Sequence, residues 1–74
     1  MSTTTTYHVN GMTCGHCVSA VTEEISALAG VQDVAIDLQA GGTSQVTVTS
    51  EAPLAETEVR AAVDEAGYEL VGTA

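Results

Sequence analysis

The stretch Val34-Ala35-Ile36-Asp37-Leu38-Gln39-Ala40-Gly41-Gly42-Thr43-Ser44-Gln45-Val46-Thr47-Val48 decides the fold. Val34, Ile36 and Leu38 alternate with Ala35, Asp37 and Gln39, the period of a strand with one buried face. Beyond Gly41-Gly42 the alternation resumes, with Val46 and Val48 inward and Gln45, Thr47 and Thr49 outward. Two alternating runs around a glycine pair predict a hairpin.

Toward the N-terminus, Val18, Val21, Ile25 and Leu28 recur at spacings of three and four. That predicts a helix with one apolar stripe, closed by Gly30. Before it, Thr5, Tyr7 and Val9 alternate with Thr6, His8 and Asn10, a strand broken by Gly11. Toward the C-terminus, Pro53 suits the first turn of a second helix. Val59, Ala62, Val63 and Ala66 form the buried face of that helix and Gly67 ends it. Tyr68, Leu70 and Gly72 alternate with Glu69 and Val71 as a short last strand. The order is β-α-β-β-α-β. Two strand–helix–strand units joined by a hairpin predict an α+β, ferredoxin-like sandwich. It has one four-stranded antiparallel sheet with both helices on one face.

Seventy-four residues allow one small domain, residues 1–74, and residues 1–4 read as a flexible tail. Hydrophobic residues make up 45% of the chain, enough for a core and too many for disorder. A domain of this size buries only roughly 60% of its unfolded surface, which leaves no room for a deep cleft between layers. Ten carboxylates face a single basic residue, Arg60, for a net charge of -9. That charge repels phosphate backbones and anionic lipid surfaces, so nucleic acid is excluded as a partner. No apolar run approaches a membrane helix, and residues 1–6 lack the features of a signal peptide. The expected location is the cytoplasm, where thiols stay reduced.

The chemistry lies in Gly11-Met12-Thr13-Cys14-Gly15-His16-Cys17, between the first strand and the first helix. Two cysteines separated by two residues can converge on one point. Cys17 falls in the first helical turn, where unpaired N–H groups and the helix dipole favour a thiolate. Two thiolates without another strong ligand suit a soft ion of low coordination number, and Cu(I) is the main biological candidate. Structural zinc wants four protein ligands, and magnesium and calcium want oxygens, of which this loop offers only Thr13 and Asn10. A dithiol redox pair is the alternative reading of the same motif. Against it, the chain is short, and Pro53, its one proline, precedes a helix and not a strand facing the site.

At these residues the chain resembles the heavy-metal-associated domain family, whose motif GMTCxxC reads here as Gly11 to Cys17. It closely resembles free-standing copper chaperones of the CopZ type, over essentially the whole chain. The likeness includes the glycine hairpin and the Ala66-Gly67-Tyr68 close of the second helix. The resemblance implies that Cys14 and Cys17 bind the metal, that Met12 is the loop methionine, and that Tyr68 is the aromatic residue near the ion. It implies a non-enzymatic shuttle that passes Cu(I) by ligand exchange. The acceptor would be a metal-binding domain of a copper-transporting P-type ATPase, or a copper-sensing repressor. Thr13 stands where zinc and cadmium members often carry aspartate, which favours Cu(I). Mercury-binding relatives carry export signals that are not seen here. The lysine that eukaryotic members place near the site is missing, and its role is vacant or falls to Tyr68, the helix dipole or His16.

The bland readings sit beside the sharp ones. Met12 reads as packing in preference to a thioether ligand. His16 is an exposed helix-start residue or a third ligand, and both stay open. His8 reads as a sheet-face residue, and Tyr68 caps the core or donates to a thiolate. The thiols are expected on an open, polar loop, with Gly11 and Gly15 keeping it so. Val21, Ile25, Leu28, Val34, Ile36, Val46, Val48, Val59 and Val63 supply a core independent of that loop, so the metal-free chain is expected to fold. The acidic residues, among them Glu23, Glu24, Glu56, Glu58, Asp64 and Glu65, solvate the surface or steer the chain to a basic partner. The competing functions are a small dithiol oxidoreductase, a passive copper buffer, and a zinc, cadmium or mercury carrier. Two-coordinate copper also permits a copper-bridged homodimer through four cysteines.

Overall fold

The computed structural model of the protein describes residues 2–13 and 15–73. The elements are β1 (Thr3–Asn10), α1 (Gly15–Ser26), β2 (Val31–Asp37), β3 (Ser44–Ser50), α2 (Glu56–Glu65) and β4 (Glu69–Thr73). The strands form one sheet in the order β2-β3-β1-β4, and every neighbouring pair is antiparallel. This is the ferredoxin-like sandwich that the hairpin predicts.

Alternation places the core. Tyr7 and Val9 of β1, Val46 and Val48 of β3 and Leu70 of β4 are buried on one sheet face. Val21 and Ile25 of α1 and Val59, Ala62 and Val63 of α2 close over them. On the other face the outward threonines pair across strands: Thr4 with Thr49 at 3.4 Å and Thr6 with Thr47 at 3.3 Å between hydroxyl oxygens. Such cross-strand hydroxyl pairs hold register without burying apolar surface.

Four expectations need correction. Thr3 and Thr4, read as tail, belong to β1, where they lie opposite Ser50 and Thr49 of β3. β-branched residues opposite a strand continue the ladder whatever their polarity. Helix α1 ends at Ser26, so Leu28 packs from the turn that leads through Gly30, where φ is +86°. Pro53 precedes α2, whose N-cap is Ala55. Val34 and Ile36 are only half-buried, because β2 is an edge strand.

At the other edge, α2 holds β4. The Arg60 guanidinium donates to the Leu70 carbonyl at 3.2 Å and lies 3.6 Å from the Glu56 carboxylate, while Thr73 donates its hydroxyl to Glu56 at 3.0 Å. Between His8 and Val9 the β1–β4 register slips, leaving Val71 unpaired with β1 and 45% exposed. Arg60 thus secures an edge strand beside an irregularity. Its ion pair is half-exposed and adds little, so the carbonyl contact is the main term. Arg60→Met is expected to cost about 1 kcal/mol, read as a lowered urea midpoint with unchanged slope.

Candidate metal centre

Strand directions bring three turns to one end of the sheet. The C-terminal end of β1 lies beside the N-terminal ends of β3, through Val9 and Ser44, and of β4, through Asn10 and Glu69. The β1–α1 loop, the β2–β3 hairpin and the α2–β4 turn therefore meet there.

Cys17 stands in the first turn of α1 and is 6% exposed. The open, polar setting expected for it is corrected here, because Cys17, Val21 and Ile25 recur every four residues and form the buried stripe of the helix. The Thr13 amide donates to the Cys17 sulfur at 3.5 Å, and the Thr13 hydroxyl oxygen is 3.9 Å from it. Burial by itself works against a thiolate. An N–H aimed at the sulfur, and the place of Cys17 at the N-terminal end of the helix dipole, act the other way. Cys14, the other expected ligand, lies outside the described residues.

The loop between β1 and Cys17 is held from below. Met12 is fully buried in the core, in keeping with the packing reading. Gly11 has φ +94°, and a Cβ there would sit 3.5 Å from the Tyr68 ring. Glycine is favoured by the backbone turn alone, since a Cβ there would make only an ordinary van der Waals contact with the ring. Tyr68 reaches this place through the end of α2. Gly67, at φ +93°, donates its N–H to Asp64 O at 2.9 Å and Tyr68 donates to Val63 O at 3.1 Å. Those two bonds are a Schellman close, which turns the chain back under the site loop.

His16 is exposed in the first turn of α1, and His8 is half-buried on β1 opposite Gln45 and Gly72. Among the described residues, no group of three or more His, Cys, Asp or Glu could hold a metal ion. Arg60, the single Arg or Lys of the chain, is engaged at the α2–β4 contact. Among the described residues no helix is long and apolar enough to cross a membrane.

A feature the sequence reading missed lies on the hairpin side. Thr43 donates its hydroxyl to Asn10 Oδ1 at 2.8 Å, and both residues line a depression of about 420 Å³ between residues 10–13 and 41–43. The alternation gave no sign of it, since the two residues are 33 positions apart.

The heavy-metal-associated domain profile matches residues 6–69. The copper chaperone CopZ of Staphylococcus aureus strain bovine RF122 is 34% identical over 65 residues, 86% of this chain and 91% of that protein. A CopZ metallochaperone structure superposes with a TM-score of 0.80 at 31% identity, over 93% of this chain and all of that one. The copper(I)-loaded first domain of the human copper chaperone CCS superposes with a TM-score of 0.70 at 33% identity, over 100% of this chain and 99% of that one.

Proposed function

The chain belongs to the heavy-metal-associated domain family, and on that premise we propose that it is a cytoplasmic, non-enzymatic metal chaperone whose cargo is Cu(I). Cys14 and Cys17 hold the ion as a bis-thiolate. The cargo passes by ligand exchange to a metal-binding domain of a copper-transporting P-type ATPase, or to a copper-sensing repressor. The observation that carries this reading is the setting of Cys17, a thiol at a helix start whose sulfur accepts the Thr13 amide. Relatives named as copper chaperones, and a copper(I)-loaded structural neighbour, support the choice of ion.

Two thiolates suit exchange. A two-coordinate Cu(I) accepts a third sulfur from the acceptor and then releases one of the first two, so the ion is never free. Cys17 is nearly buried, so the incoming thiolate arrives on the side away from it. The same step between two copies of the chain would give a copper-bridged dimer, which the net charge of -9 on each copy opposes.

Competition against a chromophoric Cu(I) chelator tests the reading. The metal-free chain is expected to take one Cu(I) from the chelator, and a dithiol oxidoreductase is expected instead to exchange with a disulfide substrate without metal. Protons compete for both sulfurs, so the apparent affinity falls with pH. The fall approaches about a hundredfold per unit once both thiols protonate in the metal-free chain. The measurement is the same competition run across pH. A His16→Ala chain with an unchanged profile leaves His16 a bystander, and a shallower profile makes it a ligand.

A further inference from the structure

We propose that Asn10 and Thr43 form a latch that positions the metal-binding loop, an inference that rests on the Cu(I) reading of that loop. The β1–β3 ladder ends at Val9 opposite Ser44, and Asn10 is next paired with Glu69 on β4. Beyond the ladder, the Thr43 hydroxyl donating to Asn10 Oδ1 at 2.8 Å ties the start of the site loop to the hairpin.

The two sides of the loop are held differently. On one side Met12 is buried in the core and the Tyr68 ring lies against Gly11. On the hairpin side there is a depression of about 420 Å³ whose lining includes Gly41 and Gly42, which offer no side chain to pack. Asn10 and Thr43 both line it and are bonded to each other.

The hairpin is a fixed partner for such a latch. Ser44 is fully buried, and its hydroxyl accepts the Gln39 amide at 3.0 Å. Gly42 donates its own amide to Gln39 O at 3.0 Å. Thr43 is therefore presented from a turn that is already bonded internally. Three residues beyond Asn10, the Thr13 amide points at the Cys17 sulfur. Loosening Asn10 loosens the segment that carries this donor, and binding the ion must then restrict it again.

The test compares Thr43→Val, Asn10→Ala, the double variant and Thr43→Ser with the wild-type chain. Hydrogen exchange of the Gly11, Met12 and Thr13 amides is followed in metal-free protein, with Cu(I) competition run alongside. Thr43→Val and Asn10→Ala are expected to speed exchange at these three amides and to weaken Cu(I) binding about three- to tenfold, the worth of one neutral hydrogen bond. The double variant is expected to match the singles, since both remove one contact. Thr43→Ser keeps the hydroxyl and is expected to behave as wild type. A general loss of stability would instead raise exchange throughout the domain and not at residues 11–13 alone. Unchanged exchange at residues 11–13 in Thr43→Val, or fully additive effects in the double variant, overturns the latch. Should the wild-type chain take no Cu(I), the copper reading fails, and metal-free exchange alone decides the latch.

Discussion

Serine at Cys14 or at Cys17 is expected to abolish tight Cu(I) binding, a loss of several orders of magnitude in the chelator competition. The reason is chemical. Cu(I) is a soft ion, and a hydroxyl is neither soft nor ionised near neutral pH, so one thiolate is left to hold the ion alone. The two variants should differ in stability. Cys17 is 6% exposed and heads the stripe that continues through Val21 and Ile25. A serine there keeps a polar atom beside the Thr13 amide but replaces the sulfur with a smaller, more polar oxygen in a nearly buried place. Cys17→Ala separates the effects, because it removes the sulfur and adds no polar group. It should lose copper as fully as Cys17→Ser, and its urea midpoint reports the packing cost alone. A Cys17→Ala chain that competes for Cu(I) as well as wild type would remove Cys17 from the site, whatever its stability.

Much of the fold could be read because its signals are local. The Gly41-Gly42 break between two alternating runs, and the glycines that end each helix, act over a few residues. The errors share a cause: each required knowing what lies opposite. Thr3 and Thr4 look like a polar tail until Ser50 and Thr49 are placed beside them. Val34 and Ile36 have the pattern of core residues, and only the strand order shows that β2 is an edge. The apolar stripe of α1 was begun at Val18, whereas Cys17 lies four residues before Val21 and leads it. A thiol serves both as a ligand and as a small apolar side chain, and the sequence motif signals only the first role. The site motif itself is contiguous and was legible down to Met12 in the core and Tyr68 near the loop. The Asn10–Thr43 contact was not, because neither residue type nor spacing announces a bond between the end of one strand and a distant turn.

The second large effect concerns the core beneath the site. Ile25 is fully buried on α1, within the cluster that holds Val21, Val59 and Val63. Ile25→Ala removes its side chain and leaves a cavity, at a cost of about 2–5 kcal/mol. A domain of this length has a total stability of only about 4–11 kcal/mol. The variant should therefore lose a large share of that stability, whereas Ile25→Val, at about 0.5–1.5 kcal/mol, should lose little of it. This packing needs no bound ion, so copper-loaded wild type should keep its circular dichroism when a chelator removes the metal. Copper then becomes a probe of linkage. If Cu(I) binds the folded chain better than the unfolded one, excess metal raises the urea midpoint of Ile25→Ala by mass action. Cys14 and Cys17 are only three positions apart, so the unfolded chain also offers both sulfurs and the gain is smaller than for a site assembled from distant segments. What remains measures how far the fold prearranges the loop, through Met12 in the core, Tyr68 against Gly11 and the Thr13 amide at Cys17. The expected result is a metal-free Ile25→Ala chain with a much lower urea midpoint than wild type and a copper-loaded one whose midpoint is raised. A midpoint unmoved by saturating Cu(I) would mean that the unfolded chain holds the ion as tightly, and that the fold serves delivery without contributing to affinity.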